Sequence, residues 1–198
     1  MEQQQIKKNQ ETALLVMDVQ ENLLEKCERK QELLQSLSKA IGKARSANIP
    51  IIYVTLVFRK GYPEISQKNK FFYMVKEAGT SFIDLQQAAK FDPSIPPKEG
   101  DIIVNKLRGS AFAGTDLEVI LKNLNVQHLV LTGFETSGVI LSTVRQAADM
   151  DYGLTVLKDC CVDREDDMGV FIMERILPRQ ADIIEVNQWN ITETGTGK

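Results

Sequence analysis

Six short runs of apolar residues recur along the chain, and longer segments with helical spacing separate them. The runs begin at Thr12, Pro50, Asp101, His128, Leu154 and Ala181, and they read TALLVMD, PIIYVTLVF, DIIVNK, HLVLTGF, LTVLKD and ADIIEV. Continuous runs of Val, Ile and Leu of this length are typical of strands that are covered on both faces. The pattern therefore predicts six buried strands.

The segments between these runs have the spacing of amphipathic helices. Between Lys30 and Asn48 the apolar residues recur at three- and four-residue steps, which places them on one stripe of a helix. Thr115 to Leu124 and Ser137 to Met150 show similar spacing. Alternating strands and helices imply parallel strands joined by right-handed crossovers. We therefore predict an α/β fold, a three-layer doubly wound sandwich with a six-stranded parallel sheet.

The length of 198 residues is typical of one domain, so we expect a single domain over 1–198 with its core at about 12–186. We find no internal repeat and no linker. The segment from Arg59 to Pro97 interrupts the alternation with glycines and prolines, and it is long for a connection inside a compact domain. We expect this segment to fold over another part of the molecule.

Composition narrows the function classes. The formal charge of −3 and the spread of basic residues argue against nucleic acid and anionic membranes as partners. The chain opens with the polar stretch MEQQQIKKNQE and contains no run of eighteen apolar residues, so we expect a cytoplasmic protein. Cys27, Cys160 and Cys161 cannot all pair, which favours a reducing compartment, and the lone His128 offers no histidine cluster for zinc.

Ligands of open parallel sheets bind outside the carboxyl ends of the strands, near the point where the strand order reverses. This rule selects Asp18 after the first run, Lys106 at the end of the third, and Gly133 in the fourth. An aspartate and a lysine on one rim would form an ion pair that can hold or move a proton. A charged residue at a strand end can equally be a solvated boundary residue or a helix cap.

The stretch LTGFETSGVILSTVRQ, at 131–146, predicts a strand that stops at a glycine and turns at once into a helix. We call this stretch the elbow. A reactive side chain would normally stand there, yet Gly138 and Val139 occupy the candidate positions. Neither of these two residues has a reactive side chain.

Three motifs in order resemble the isochorismatase-like hydrolases, a family that also contains nicotinamidases and other cysteine amidohydrolases. The motifs are LLVMDVQ, VNKLRGSAFAGTDL and LTGFETSGVILSTVRQAAD, and the resemblance runs from about Thr12 to Glu185. It implies a six-stranded parallel sheet and catalysis by Asp18 and Lys106. The position of the family's nucleophilic cysteine falls on Val139. Valine cannot attack a substrate, so the acyl-enzyme route of the cysteine members is closed.

Isochorismatases also lack that cysteine, and the resemblance implies that the aspartate supplies a proton to the substrate. An Asp and Lys pair can therefore sustain hydrolysis by general acid catalysis and charge stabilisation. Phe134, Glu135, Thr136 and Ser137 replace the aromatic and histidine residues that those enzymes place after the elbow glycine, which argues against isochorismate as the substrate. The resemblance also places a cis peptide between Phe134 and Glu135.

The resemblance offers no metal site, because FRKGYPEISQKN, at 58–69, has no histidine where nicotinamidases hold a metal. We expect no metal and no cofactor. Arg59 can clamp an anionic substrate, or it can lie in solvent. Tyr62 and Asn69 of the same segment are candidate lid residues, and Phe112 is a candidate wall of the pocket or a core residue. The expected substrate-binding residues are Gln20, Arg59, Tyr62, Phe112, Phe134, Glu135, Thr136 and Ser137.

Two function classes remain open. The first is a hydrolase of a small anionic molecule that acts through Asp18 and Lys106 without a cysteine nucleophile. The second is a catalytically silent member that binds a small molecule or a protein. An NAD-binding domain is disfavoured, because the first turn, MDVQENLLEKC, lacks the glycine fingerprint. We further expect a homo-oligomer, either a dimer or a tetramer.

Overall fold

The computed structural model describes residues 11–25, 27–79 and 90–191. Six strands form one all-parallel sheet: β1 (Thr12–Met17), β2 (Ile51–Leu56), β3 (Ile102–Lys106), β4 (His128–Phe134), β5 (Gly153–Val162) and β6 (Asp182–Ile184). Each strand coincides with one of the six apolar runs. The predicted fold class is confirmed, because every strand lies next to its neighbours in parallel and helices cover the sheet.

Among the described residues, six α-helices lie between the strands: α1 (Glu21–Leu24), α2 (Lys30–Ser46), α3 (Lys70–Ala78), α4 (Leu117–Asn123), α5 (Leu141–Asp149) and α6 (Asp166–Phe171). A π-helical turn at Thr136–Ile140 leads into α5, and a second at Ile172–Ile176 follows α6. Helix α2 ends two residues earlier than its spacing predicts, because Asn48 adopts φ +54° and turns the chain toward β2. No helix in the described ranges is long and apolar enough to span a bilayer.

The sheet separates two apolar cores. Leu14 and Val16 of β1 face one core, which contains the apolar stripe of α2, while Leu15 and Met17 face the other, which contains apolar residues of α4 and α5. All six residues of β1 are buried. The period-2 alternation of a strand thus turns a continuous apolar run into two packed faces.

The strand order is β3-β2-β1-β4-β5-β6. The chain builds outward from β1 to β3, then returns to the other side of β1 and builds outward from β4 to β6. The order therefore reverses between β1 and β4, and a crevice opens at their carboxyl ends. Met17 pairs with Gly133 at this point.

Strand β5 extends to Val162, three residues past the end of its apolar run at Asp159. Cys160 and Cys161 lie inside β5 and not after it. The β4–β5 register shifts between Leu131, which pairs with Val156, and Gly133, which pairs with Cys161. Cys160 belongs to one core and Cys161 to the other, and both thiols are buried and free, as is that of Cys27.

Candidate active site

The carboxyl ends of β1 and β3 deliver opposite charges to one point. Asp18 follows Met17 directly with φ +55°, and Lys106 is the last residue of β3. The lysine reaches past the end of β2, where it pairs in register with Leu56, and its Nζ lies 2.8 Å from Asp18 Oδ2. Only 9% of the Asp18 side chain and 2% of the Lys106 side chain are exposed. We call this ion pair the inner pair.

Lys106 Nζ also donates a hydrogen bond of 2.9 Å to the carbonyl oxygen of Arg108. Asp18 is less completely satisfied, because its Oδ1 is buried and has no hydrogen-bonding partner among the described residues. A buried carboxylate oxygen without a partner is costly unless it carries a proton or receives a ligand. Asp18 Oδ1 is therefore the atom of the inner pair that is available to a proton or a ligand.

The elbow requires a glycine where it leaves β4. Gly133 has φ +136°, and a Cβ atom there would lie 2.0 Å from the carbonyl oxygen of Met17. The Phe134–Glu135 peptide that follows is cis. The π-helical turn then places Val139 in the lining of the cavity that Asp18 and Lys106 also line.

This main cavity has a volume of about 250 Å³. Its walls are mainly apolar and come from Leu23, Leu56, Phe71, Phe72, Val75 and Phe134, with Gly109, Gly138 and Val139 at the base. Four charged residues complete the lining: Asp18, Lys106, Glu135 and Arg164. The arrangement fits a small molecule with an apolar body and polar ends.

Glu135 and Arg164 form a second ion pair in the main cavity, which we call the outer pair. Arg164 Nε donates to Glu135 Oε1, and its guanidinium carbon lies 5.5 Å from the ring centre of Phe134. The side chains of Glu135 and Arg164 are 23% and 33% exposed. The outer pair therefore lies closer to solvent than the inner pair.

Burial dominates the electrostatics of both carboxyl groups. It raises the pKa of Asp18 to about 6, although the charge and hydrogen bond of Lys106 lower it, and the charge of Glu135 raises it further. Burial also raises the pKa of Glu135, against the lowering effect of Arg164. Carboxyl groups whose pKa is raised by burial beside a charged partner are typical of functional sites.

Five of the expected site residues meet at the main cavity: Asp18, Lys106, Phe134, Glu135 and Val139. The structure does not bring the other six to its lining.

Gln20 is one of these six, and its side-chain amide bonds both backbone groups of Leu56. Arg59 points to solvent, with its side chain 75% exposed and paired to Glu64 at 2.5 Å. Tyr62 is buried against Phe58. The polar groups of Gln20 and Arg59 are thus already bound, to the Leu56 backbone and to the Glu64 carboxylate.

Phe112 lies in the core that contains apolar residues of α4 and α5, and its ring packs against Tyr152. Thr136 lines a second cavity of about 500 Å³. The backbone N–H of Ser137 donates to Asp163 Oδ2 at 2.6 Å, and Asn69 caps α3 by accepting from the N–H of Phe72. In the described contacts, the Ser137 backbone is therefore bound to the loop after β5, and the Asn69 side chain caps a helix.

Sequence reasoning missed Arg164 and the aromatic wall. Arg164 lies two residues beyond the end of β5, so the rule of strand ends selects it once β5 is known to reach Val162. Phe71, Phe72 and Val75 belong to α3, inside the long segment that we expected to fold over another part of the molecule. That segment does contribute a wall of the main cavity.

No group of three or more histidine, cysteine, aspartate or glutamate side chains in the described part of the chain is placed to hold a metal ion. His128 begins β4, at the amino end of the sheet, and its Nε2 lies 2.9 Å from Thr155 Oγ1. The lone histidine is therefore remote from the main cavity.

The model of the isochorismatase domain matches residues 12–188 of this chain. The chain belongs to the isochorismatase hydrolase family. Within that family it is 28% identical over 180 residues to the secreted isochorismatase effector Isc1 of Verticillium dahliae, a match that covers 89% of this chain and 85% of the relative.

Solved structures support the same fold. A cysteine hydrolase from Pseudomonas syringae pv. phaseolicola superposes with a TM-score of 0.80 at 19% identity, covering 90% of each chain. The N-carbamoylsarcosine amidase of Thermoplasma acidophilum superposes with a TM-score of 0.72 at 21% identity, covering 90% of this chain and 98% of that one. At these identities the likeness establishes the isochorismatase-like fold and nothing finer.

Proposed function

We propose that this isochorismatase-family protein hydrolyses a small anionic molecule, with Asp18 as general acid, Lys106 as its charge partner and no cysteine nucleophile. One observation carries the proposal. The buried Oδ1 of Asp18 has no described partner while Oδ2 is held by Lys106. A proton on Oδ1 can therefore be aimed at a bound substrate by a carboxyl group whose orientation is fixed.

The elevated pKa of Asp18, about 6, supports this role. A general acid works best when its pKa lies near the working pH, because it then carries a proton and can still release it. Lys106 stabilises the carboxylate that remains after the transfer. The inner pair can thus donate a proton and accommodate the charge that results.

We assign Val139 to the position that the nucleophilic cysteine holds in the cysteine members. No native thiol takes over that role in this proposal, because none of the three cysteines lines the main cavity. Burial raises the pKa of Cys161 to about 12 and raises the pKa of Cys160 and Cys27 as well. Thiols that stay protonated are poor nucleophiles, which supports direct attack by water.

The anionic character of the substrate rests on Arg164. Its guanidinium is the planar cation at the more exposed side of the main cavity, and such a fork suits a carboxylate. Arg59 is a weaker candidate for this clamp, because it is tied to Glu64 in solvent. Related proteins are named for isochorismate, N-carbamoylsarcosine and ureidoacrylate, and all three compounds carry a carboxylate.

The test is hydrolysis of isochorismate, N-carbamoylsarcosine and ureidoacrylate, followed by mass spectrometry of the products. We expect wild-type protein to hydrolyse at least one of them and Asp18→Asn to lose about 10² to 10⁴ in rate, the usual contribution of a general acid. Because Asp18 acts in its protonated form, the wild-type rate should fall as the pH rises through about 6.

Asp92→Asn is the matched control. It makes the same chemical change in a carboxylate that pairs with Lys30 away from the main cavity, so its rate should stay within about twofold of wild type. Far-UV circular dichroism would establish that both variants fold. A folded Asp18→Asn protein with wild-type activity would contradict the assigned role.

The side chain of Val139 cannot attack a substrate, and this favours one alternative, a binding protein that has kept the pocket without catalysis. That alternative predicts no turnover of the three compounds, together with a small molecule that copurifies with wild-type protein and is released on denaturation. Retention of such a ligand without any hydrolysis would replace the enzymatic proposal.

We also infer that the protein works in the cytoplasm as a homo-oligomer, either a dimer or a tetramer. Three free, buried cysteines support a reducing compartment. Exposed Met168, Val170 and Phe171 on α6 support a self-association surface. A monomeric mass by light scattering at micromolar concentration would contradict the oligomer.

A further inference from the structure

The main cavity contains two carboxyl groups, and each is held by a cation through one oxygen. Lys106 holds Oδ2 of Asp18, and Arg164 holds Oε1 of Glu135. The two carboxyl groups line the same cavity of about 250 Å³. Hydrolases that use two nearby carboxyl groups commonly divide acid and base work between them.

Hydrolysis without a side-chain nucleophile needs a base. Water must attack the substrate itself, and a nearby group must accept its proton. Among the described residues that line the main cavity, Lys106 and Arg164 are cations and none is a histidine. Only Asp18 and Glu135 can accept a proton, and Asp18 has been assigned the opposite task.

The position of Glu135 matches that need. Its side chain folds back over the start of the elbow, so that Oε2 lies 3.5 Å from the point where a Cβ atom of Gly138 would stand. Gly138 precedes Val139. A water molecule bound by Oε2 would therefore lie next to Gly138, in the cavity that Val139 also lines.

We propose that Glu135 is the general base that activates the hydrolytic water, an inference that rests on the proposed function. The water oxygen forms a bond to the electrophilic carbon of the substrate while one water proton passes to Glu135. The bond from that carbon to the leaving atom breaks, and the leaving atom takes the proton of Asp18. Glu135 ends protonated and Asp18 ionised, and proton exchange with solvent restores both groups.

Arg164 links this step to substrate binding. In the described structure it neutralises Glu135, which makes the carboxylate a weaker base. A substrate carboxylate that binds Arg164 competes for the same guanidinium and loosens its hold on Glu135. The base therefore becomes stronger when the substrate is bound.

The test compares Glu135→Ala and Glu135→Gln on whichever of the three compounds the wild type hydrolyses. Both variants should lose about 10² to 10⁴ in kcat, the usual contribution of a general base. Added formate should restore part of the Glu135→Ala rate in proportion to its concentration, because the small carboxylate can occupy the space left by the side chain. Formate should not restore Glu135→Gln, whose amide fills that space.

The pH dependence provides a second readout. The charges of Lys106 and Glu135 act on the pKa of Asp18. The pKa of Glu135 responds to Arg164 in the main cavity and to Asp163 and Glu165 after β5. The wild-type rate should fall at acidic pH as Glu135 takes up a proton. Because the pKa of Glu135 is raised, this fall should begin at a higher pH than an ordinary glutamate would give. The pH–rate profile of Glu135→Gln should lose this decline at acidic pH and keep the decline at alkaline pH that the ionisation of Asp18 causes.

Glu118→Ala is the matched control, since it removes a partly exposed carboxylate that pairs with Lys122, does not line the main cavity and does not act on the charge of Glu135 or Asp18. It should keep the wild-type rate and show no response to formate. Failure of wild-type protein to hydrolyse any of the compounds would overturn both the proposed function and this inference. Wild-type turnover that survives in Glu135→Ala, or a lost rate that formate does not restore in a folded variant, would overturn the Glu135 base alone.

Discussion

The two ion pairs of the main cavity differ in how they are held. Asp18 and Lys106 come from the ends of two strands and are almost fully buried, whereas Glu135 and Arg164 come from the turns after β4 and β5 and are partly exposed. Removing one partner of a buried pair leaves an uncompensated charge, but partly exposed pairs are worth little to stability. The inner pair is therefore a fixed part of the fold, while the outer pair is free to exchange a partner with a substrate.

The largest effect should come from breaking the inner pair with Lys106→Met. We expect the free energy of unfolding at pH 8 to fall by about 3 to 5 kcal/mol, because Asp18 is left buried, charged and unpaired. Lys106 lowers the pKa of Asp18, so its removal raises that pKa further. The folded protein then binds more protons than the unfolded chain, and the lost stability should return as the pH falls and Asp18 becomes neutral. Urea denaturation at pH 5 and pH 8 would measure both effects.

The matched change in the outer pair is Arg164→Met. It should cost no more than about 1 kcal/mol, with little dependence on pH, because the pair is partly exposed. Equal losses from Lys106→Met and Arg164→Met would contradict the contrast between a fixed pair and an exchangeable one.

A smaller effect, on substrate binding, should separate Arg164 from Arg59. A hydrogen bond to a charged group contributes about 1.5 to 3 kcal/mol, so Arg164→Ala should raise KM by about 10- to 100-fold for a substrate that carries a carboxylate. Arg59→Ala should leave KM within about twofold, because that guanidinium is paired with Glu64 in solvent. Steady-state kinetics on the two variants would test the comparison. A larger rise in KM for Arg59→Ala than for Arg164→Ala would indicate that Arg59, in the segment after β2, binds the substrate carboxylate.

The smallest expected effect is a change in thiol reactivity. Val139→Cys places a thiol in the main cavity, where the charge of Lys106 favours the thiolate, and iodoacetamide should label it about tenfold faster than Cys27, Cys160 or Cys161. Peptide mass spectrometry would follow each site. Combination with Lys106→Met should slow the labelling, whereas combination with Glu135→Gln should accelerate it by removing a negative charge. Uniformly slow labelling of all four thiols would favour the binding protein over the hydrolase.

The fold was predictable because its signal is local. A parallel strand buried on both faces needs an unbroken apolar run, and each of the six runs became a strand. The end of β5 was not predictable in the same way, because Lys158 and Asp159 interrupt its pattern. Strand β6 pairs with Thr155 to Leu157, and beyond it Lys158 pairs with Glu185 while Asp159 accepts from the N–H of Val186, so both charged side chains have partners that the local sequence does not reveal.

The lining of the main cavity was predictable at the strand ends and in the elbow, but not in the loops. Asp18 and Lys106 follow from the topology, because the carboxyl ends of parallel strands share one edge of the sheet. The paths of the loops depend on distant partners. Arg59 is captured by Glu64, five residues away, whereas Arg164 meets Glu135 from the other side of a crossover connection. Both arginines follow strands, and sequence spacing alone does not reveal which one reaches the main cavity.

The Gln20 side chain behaves like one more peptide unit of β1. Its amide nitrogen donates to the Leu56 carbonyl at 3.2 Å, and its amide oxygen accepts from the Leu56 N–H at 2.7 Å, as a neighbouring strand would. The backbone N–H of Asp18 still donates to the Val54 carbonyl at 2.8 Å, and the Gln20 side chain continues the pairing of β1 with β2 beyond that point. The alignment of the two strands at this end therefore depends on backbone groups and an amide side chain, and the Asp18 carboxylate takes no part in it.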